Sequence, residues 1–401
     1  MTSEIKQRIE QIRRGEVPER YVKTALGLAP ANWKRYTFGD IYTERKESGD
    51  ENLPLLMVSI HSGVSDGEVD AAELPKQVKR IEDKSQYKKA VFGDLVFNMM
   101  RAWQGAIGTV RTTGMVSPAY IVAEPNDKVN PLFMDYYSRT PQMINQIDRQ
   151  SYGVTDFRKR LYWDSFAPIG CTLPSIEEQQ KIAAILTTQD KVIELKEKRL
   201  AEKQRQKKYL MQQLLTGKKR LPGFLKSWKT VELGEIFNYI QPTAYLVKTT
   251  DYDDSYKTPV LTAGKTFILG YTNETEGVFT KVPVVIFDDF TTATKYVDFP
   301  FKVKSSAMKI LTIKDGLSIV FAYEAMQLIK FTVGGHERHW ISKYSCLTID
   351  IPDIEEQTAI AEVLSAADRE IDLLRQDIEQ EKQKKKALMQ LLLTGIVRVK
   401  T

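Results

Sequence analysis

The chain has 401 residues, 42% of them hydrophobic and 10% aromatic, enough for two or more globular domains with cores of their own. Its formal charge of +6 suits an anionic partner such as nucleic acid, and equally a solvating lysine surface. Two distant cysteines, Cys171 and Cys346, exclude a disulfide framework. No apolar run approaches the roughly 20 residues of a membrane span, and MTSEIKQRIEQIRR has no apolar signal core, so a cytoplasmic protein is expected.

Taken in chain order, residues 1–27 read as an N-terminal helical arm. A block of mixed character follows over 28–173. It opens with Trp33-Lys34 and Gly39-Asp40-Ile41, and its interior runs VFGDLVFNMM, GAIGTVRT and PAYIVAE are short, β-branched and broken by Gly and Pro. Such runs predict strands of an antiparallel sheet.

Residues 174–217 change character. A proline, Ser175 and the pair Glu177-Glu178 form a helix start, with carboxylates placed to complement the dipole. Apolar residues then step by four and three through Ile182, Leu186, Gln189, Ile193, Lys196 and Leu200, a coiled-coil seam. The seam turns polar at Lys203 and Lys207, recovers at Leu210 and Leu214, and Gly217 marks the stop. Lysines 196, 198, 203, 207 and 208 read as a solvated flank.

A second block, 218–351, opens like the first, with Trp228-Lys229 and Gly234-Glu235-Ile236. Its strand-like runs are PVLTAGKTFILGYT, VPVVIFDDFT and SSAMKILTI. The trailing edges align as well: Arg160 with Arg338, Tyr162 with Trp340, Phe166 with Tyr344. The interiors do not, which implies one fold with two specificities. Residues 352–401 then repeat the helix. Segments 174–217 and 352–395 align without a gap, and 20 of 44 positions are identical. The second seam runs Ile360, Leu364, Ala367, Ile371, Leu374, Ile378, turns polar at Glu381 and Lys385, and ends at Gly395. The expected fold class is therefore α+β: two strand-rich globular domains, each followed by a long helix. The two helices pack as an antiparallel coiled coil with pseudo-two-fold symmetry.

Catalytic patterns mostly fail. Gly264-Lys265-Thr266 ends like a phosphate loop, but Pro259 stands where the first glycine is needed. No dinucleotide or methyl-donor glycine fingerprint is present. His336 and His339 lack the zinc-protease spacing. Asp288-Asp289 after an apolar strand could hold a nuclease metal, with Lys302 or Lys304 as base, or could form a turn. Binding chemistry fits better. Asn98, Arg101, Trp103 and Gln104 share one loop, and Arg and Gln have the forked geometry that matches base edges. Lys79, Arg80, Lys84, Lys88 and Lys89 offer charge for phosphates, as do Arg158, Lys159 and Arg160. In the second block the candidates are Lys265, Tyr271, Thr291, Thr292, Lys295, Tyr296, Lys304, Ser305, Ser306, Arg338 and His339.

A variable domain ending in proline, then Ile-Glu-Glu-Gln and finally Leu-Met-Gln-x-Leu-Leu-Thr-Gly, twice over, resembles the specificity subunit of type I restriction–modification enzymes. Arg13-Arg14-Gly15-Glu16-Val17-Pro18 looks like that family's leader. The resemblance covers nearly the whole chain. It implies a non-catalytic DNA-recognition subunit, with target-recognition domains at 28–173 and 218–351 that each read one half of a split duplex target. The helices would set the half-site spacing and dock two methyltransferase (modification) subunits, with restriction subunits joining that complex. The chain itself would hold no cofactor or metal. S-adenosylmethionine, ATP and Mg²⁺ would belong to the partners. The alternatives are a coiled-coil scaffold that binds proteins, or a stand-alone nuclease using Asp288 and Asp289.

Overall fold

The computed structural model describes residues 3–24, 27–50, 52–65, 86–264, 266–332 and 339–399. It divides into two compact units: Met1–Leu195 with Ile378–Thr401, and Lys196–Asp377. The division falls inside both long helices, Ile176–Leu214 and Ile354–Leu393, of 39 and 40 residues. At about 1.5 Å per residue each is a rod of roughly 60 Å.

The helix starts follow the sequence. Ser175 Oγ accepts from Glu178 N at 3.3 Å, and Asp353 Oδ1 accepts from Glu356 N at 3.2 Å, each satisfying an N–H that the helix leaves open. Gly217 and Gly395 stop the helices at φ +65° and +69°, where a side chain would be strained.

In the first unit the core is an antiparallel sheet ordered Tyr42–Arg45, Tyr120–Pro125, Leu95–Asn98, Ile107–Thr109. Alternation puts Leu95, Phe97, Ile121 and Ala123 on one face and Val96 and Val122 on the other, and both faces are buried. The first face packs on the helix Pro131–Tyr137 and on Ile182, Leu186, Leu392 and Leu393 of the long helices. Each fully buried large side chain contributes roughly 1.5–3 kcal/mol. The strand Lys34–Thr37 pairs with Gly170–Leu173 and closes the domain at its base. Gly39 makes a close approach there: its N–H donates to Ala167 O at 2.8 Å, and a Cβ would stand a tight 3.3 Å from the Ala167 methyl.

The second unit repeats this plan. Its sheet runs Phe237–Ile240, Met308–Ile313, Val284–Asp288, Thr294–Val297, and Lys229–Glu232 pairs with Thr348–Ile351 below it. Val285, Phe287 and Leu311 face the helix Ile319–Met326 and the long helices, while Val284, Ile286 and Ile310 face a second buried cluster.

Within each unit the helix segments run antiparallel. In the first, Gln189 Nε2 donates to Glu381 Oε2 at 2.7 Å and Lys385 pairs with Asp190. In the second, Lys196 pairs with Asp377, Lys203 with Glu370 and Lys207 with Asp368, at 2.7–2.9 Å. Each polar break in the seam therefore meets polar groups of the facing helix, Lys203 and Lys207 on Glu370 and Asp368, Glu381 and Lys385 on Gln189 and Asp190, a register device in a coiled coil. This corrects part of the solvated-flank reading: Lys196, Lys203 and Lys207 are cross-helix partners.

Candidate nucleic-acid interface

Three segments gather at one end of the first unit's sheet. Asn98 ends its strand, and its side-chain oxygen accepts from Met100 N at 2.9 Å, turning the chain into the loop 99–106. A single 3-10 turn, Ala102–Gln104, closes on Gly105 at φ +103°. Met99 then fixes the neighbours. Its N–H donates to Ala119 O and its carbonyl accepts from Leu161 N, at 3.0 and 2.9 Å, so the 117–119 turn and the 151–162 segment stand beside the loop. The Tyr152–Arg160 bridge makes the last segment a finger. Lys159 Nζ sits 5.0 Å from the centroid of the Trp103 ring, joining finger to loop.

Arg101, Gln104 and Arg158 project from this end as exposed side chains. Lys159 is charged but committed: Asp148 and Asp156 accept from it at 2.8 and 3.1 Å, and these bonds hold its pKa above the ordinary lysine value. Arg160 is half-buried and donates to Lys159 O at 2.8 Å. Trp103 is half-buried with its indole N–H on Met100 O, and Asn98 is 9% exposed.

The second unit has the same end built on other residues. Asp288 Oδ1 accepts from Phe290 N and Thr291 N at 3.0 and 2.8 Å, shaping the hairpin that precedes Thr294–Val297. Thr292 holds φ +57°, a left-handed conformation that costs a β-branched residue about 1–2 kcal/mol. Asp289 plays the part of Met99: its N–H donates to Ala307 O and its carbonyl accepts from His339 N, both at 3.0 Å. Thr291, Lys304, Ser305 and Ser306 are exposed at this end, Thr292 half-exposed.

The other sequence-derived candidates fall elsewhere. Lys79, Arg80, Lys84, Lys265 and Arg338 lie outside the described residues. Lys88 is half-buried, donates to Tyr120 O at 2.8 Å, and burial pulls its pKa down; Lys89 pairs with Glu47 at 3.0 Å. Tyr271 sits half-buried in a separate three-stranded sheet, opposite Pro259. Lys295 and Tyr296 are half-buried along a strand, Tyr296 packed 6.0 Å from the Tyr323 ring. His339 is a correction. It is 0% exposed and stands where Leu161 stands in the first unit, so it is a core residue and not a surface contact. Sequence reasoning missed the exposed Tyr152, Val154, Tyr162 and Phe290 on these same loops. The signal for Tyr152 and Val154 was Gly153 between two large side chains in a polar stretch.

The nuclease reading loses its ligands. Asp288 caps the hairpin, and Asp289 is 1% exposed with Lys309 beside it. Of its two proposed bases, Lys302 is buried and donates to Glu276 O at 2.6 Å, while Lys304 is exposed. Among the described residues no group of three His, Cys, Asp or Glu could hold a metal ion, and no described helix is long and apolar enough to cross a membrane.

One sheet whose three end loops are pinned alike but furnished differently, present twice and carried on antiparallel helices, defines a duplicated recognition protein. The family described as type I restriction modification DNA specificity domain matches residues 72–204 and 226–383, and the chain belongs to it. The EcoR124I/EcoR124II specificity subunit of Escherichia coli is 55% identical over 140 residues, 33% of this chain and 34% of that one, so the match spans about a third of that relative's length. A putative type I MjaX specificity subunit of Methanocaldococcus jannaschii is 24% identical over 438 residues, covering 96% of this chain and 98% of the relative. Among solved structures, the S subunit of a type I restriction–modification system from M. genitalium aligns with a TM-score of 0.62 at 12% identity, over 92% of this chain and 97% of that one. At that identity the likeness speaks for the fold alone.

Proposed function

We propose that this chain is the DNA-recognition subunit of a type I restriction–modification complex, without catalysis of its own. Each unit reads one half of a bipartite duplex target through its sheet-end loops. The observation that carries this reading is the Met99/Asp289 correspondence: identical backbone bonds hold three loops in both units, and the exposed side chains on those loops differ. Arg101, Gln104 and Arg158 would contact the first half-site, and Thr291, Thr292, Lys304, Ser305 and Ser306 the second, combining base-edge and phosphate contacts. The long helices would space the units and dock two modification subunits, which bring S-adenosylmethionine; restriction subunits, with ATP and Mg²⁺, would join them in the cytoplasm. The scaffold alternative has no observation in its favour.

Selection from a randomised duplex library with the full-length chain at low salt tests this. The expected product is two short motifs separated by a fixed run of unspecified bases. One continuous motif, or none with the modification partner added, overturns it.

A further inference from the structure

Asp289 is the residue on which the second unit's loops converge. Besides its two backbone bonds to Ala307 and His339, its Oδ1 accepts from Trp340 N at 2.9 Å, and its Oδ2 lies 3.5 Å from Lys309 Nζ. Both charges are buried, at 1% exposure each. Lys309 also donates to Gln241 Oε1 at 3.0 Å and stands 5.5 Å from the Tyr239 ring centroid.

The first unit shows what the fold alone requires. There Met99 makes the same two backbone bonds, and the strand position matching Lys309 is Ile121, since Tyr120 pairs with Asn98 as Met308 pairs with Asp288. An apolar pair thus holds the same backbone. A buried ion pair gains little stability over apolar residues of similar size, because desolvation offsets its attraction. What the carboxylate adds is directional. It reaches the backbone of the 339–343 segment, which Met99 cannot do for its counterpart.

We propose that Asp289, held by Lys309, is the positioning residue of the second recognition site: its carboxylate sets the hairpin 290–293 and the segment 339–343 in the relation that reads the half-site. The inference rests on the DNA-reading function above. It explains why two acidic residues sit at the end of a strand in a DNA-facing loop without holding a metal. Asp288 shapes the hairpin, and Asp289 ties it to its neighbours.

The test uses the full-length chain, duplex-library selection and thermal unfolding. Arg101→Ala first identifies which motif belongs to the first unit. Asp289→Asn keeps an oxygen for Trp340 N–H but turns an amide N–H toward Lys309 Nζ in place of the carboxylate oxygen, so the side chain loses the contact that holds it in position. We expect at least a tenfold loss of base discrimination in the second motif, with the first unchanged. The double variant Asp289→Met with Lys309→Ile installs the first unit's apolar pair. It should restore the melting temperature while second-motif discrimination stays at least tenfold weaker than wild type. If discrimination returns together with stability, or if either folded variant stays within twofold of wild type, Asp289 is structural only and the proposal is overturned. A wild-type chain with no bipartite preference overturns the functional reading, and this inference with it, before any variant is made.

Discussion

Arg398 grips Glu178 through two N–H···O bonds of 2.7 Å, with its guanidinium 5.9 Å from the Trp33 ring centroid. The same residues one repeat away, Arg220 and Glu356, make two bonds of 2.6 Å beside Trp228 at 5.4 Å. Both glutamates are 1% exposed in the first turn of a long helix, where the dipole also favours a carboxylate. Each arginine lies just past the end of the other helix. The latch therefore fixes where one helix must end relative to the start of its antiparallel neighbour within the unit.

Arg398→Ala should loosen the first unit. The change leaves Glu178 buried without its charge partner, a loss of several kcal/mol when both groups are deep. The Arg398 side chain is 33% exposed, so screening lowers the expected cost to about 1–3 kcal/mol. Urea unfolding measures it, and a change below a few tenths would show that the latch carries no stability.

Glu324 gives the second unit a dependence on pH. Burial raises its carboxyl above the usual range, Lys207 at 3.0 Å pulls it back, and Asp368 adds to the rise. The folded chain therefore holds this proton more tightly than the unfolded one. Its stabilising share is complete below the unfolded value of about 4.3 and is lost as pH rises through the folded value. Glu324→Gln removes the dependence, so the variant should gain on the wild type between about pH 4 and pH 7. A gap that stays flat across that range contradicts the assignment. The first unit places Tyr136 at this position, six residues after its helix cap as Glu324 is after Ser318; its phenol is pushed up to about 12 by burial and by its bond to Asp190.

His339→Leu should stabilise the second unit by about 1 kcal/mol. Both ring nitrogens are buried with no hydrogen-bond partner among the described residues, and an unpaired buried polar group costs about 1–3 kcal/mol. Leucine is what the first unit carries at Leu161. Destabilisation beyond 1 kcal/mol would mean that the imidazole has a partner of its own.

Contacts to bases and to phosphates should separate on salt titration. Gln104→Ala, if the amide reads a base edge, should weaken binding by about 1–3 kcal/mol and relax one position of the first motif. Lys304→Ala, if it meets a phosphate, should weaken all sequences alike and reduce the slope of log K against log salt by about one. The reverse pattern would exchange the two roles.

The long helices, their stops and the paired domain openings were legible in the chain because they rest on local rules. Apolar spacing of four and three, a Ser or Asp before two glutamates, and a glycine at the end all act within a turn or two of backbone. The charges were not legible, since a side chain's partner is chosen by the fold. Lys89 meets Glu47, Lys207 meets Asp368, and Arg398 meets Glu178 across 220 residues of sequence. Burial decided the remainder. His339 and Arg158 both read as polar loop residues, yet one replaces a core leucine and the other faces water, because only the packed sheet end determines which backbone positions point inward.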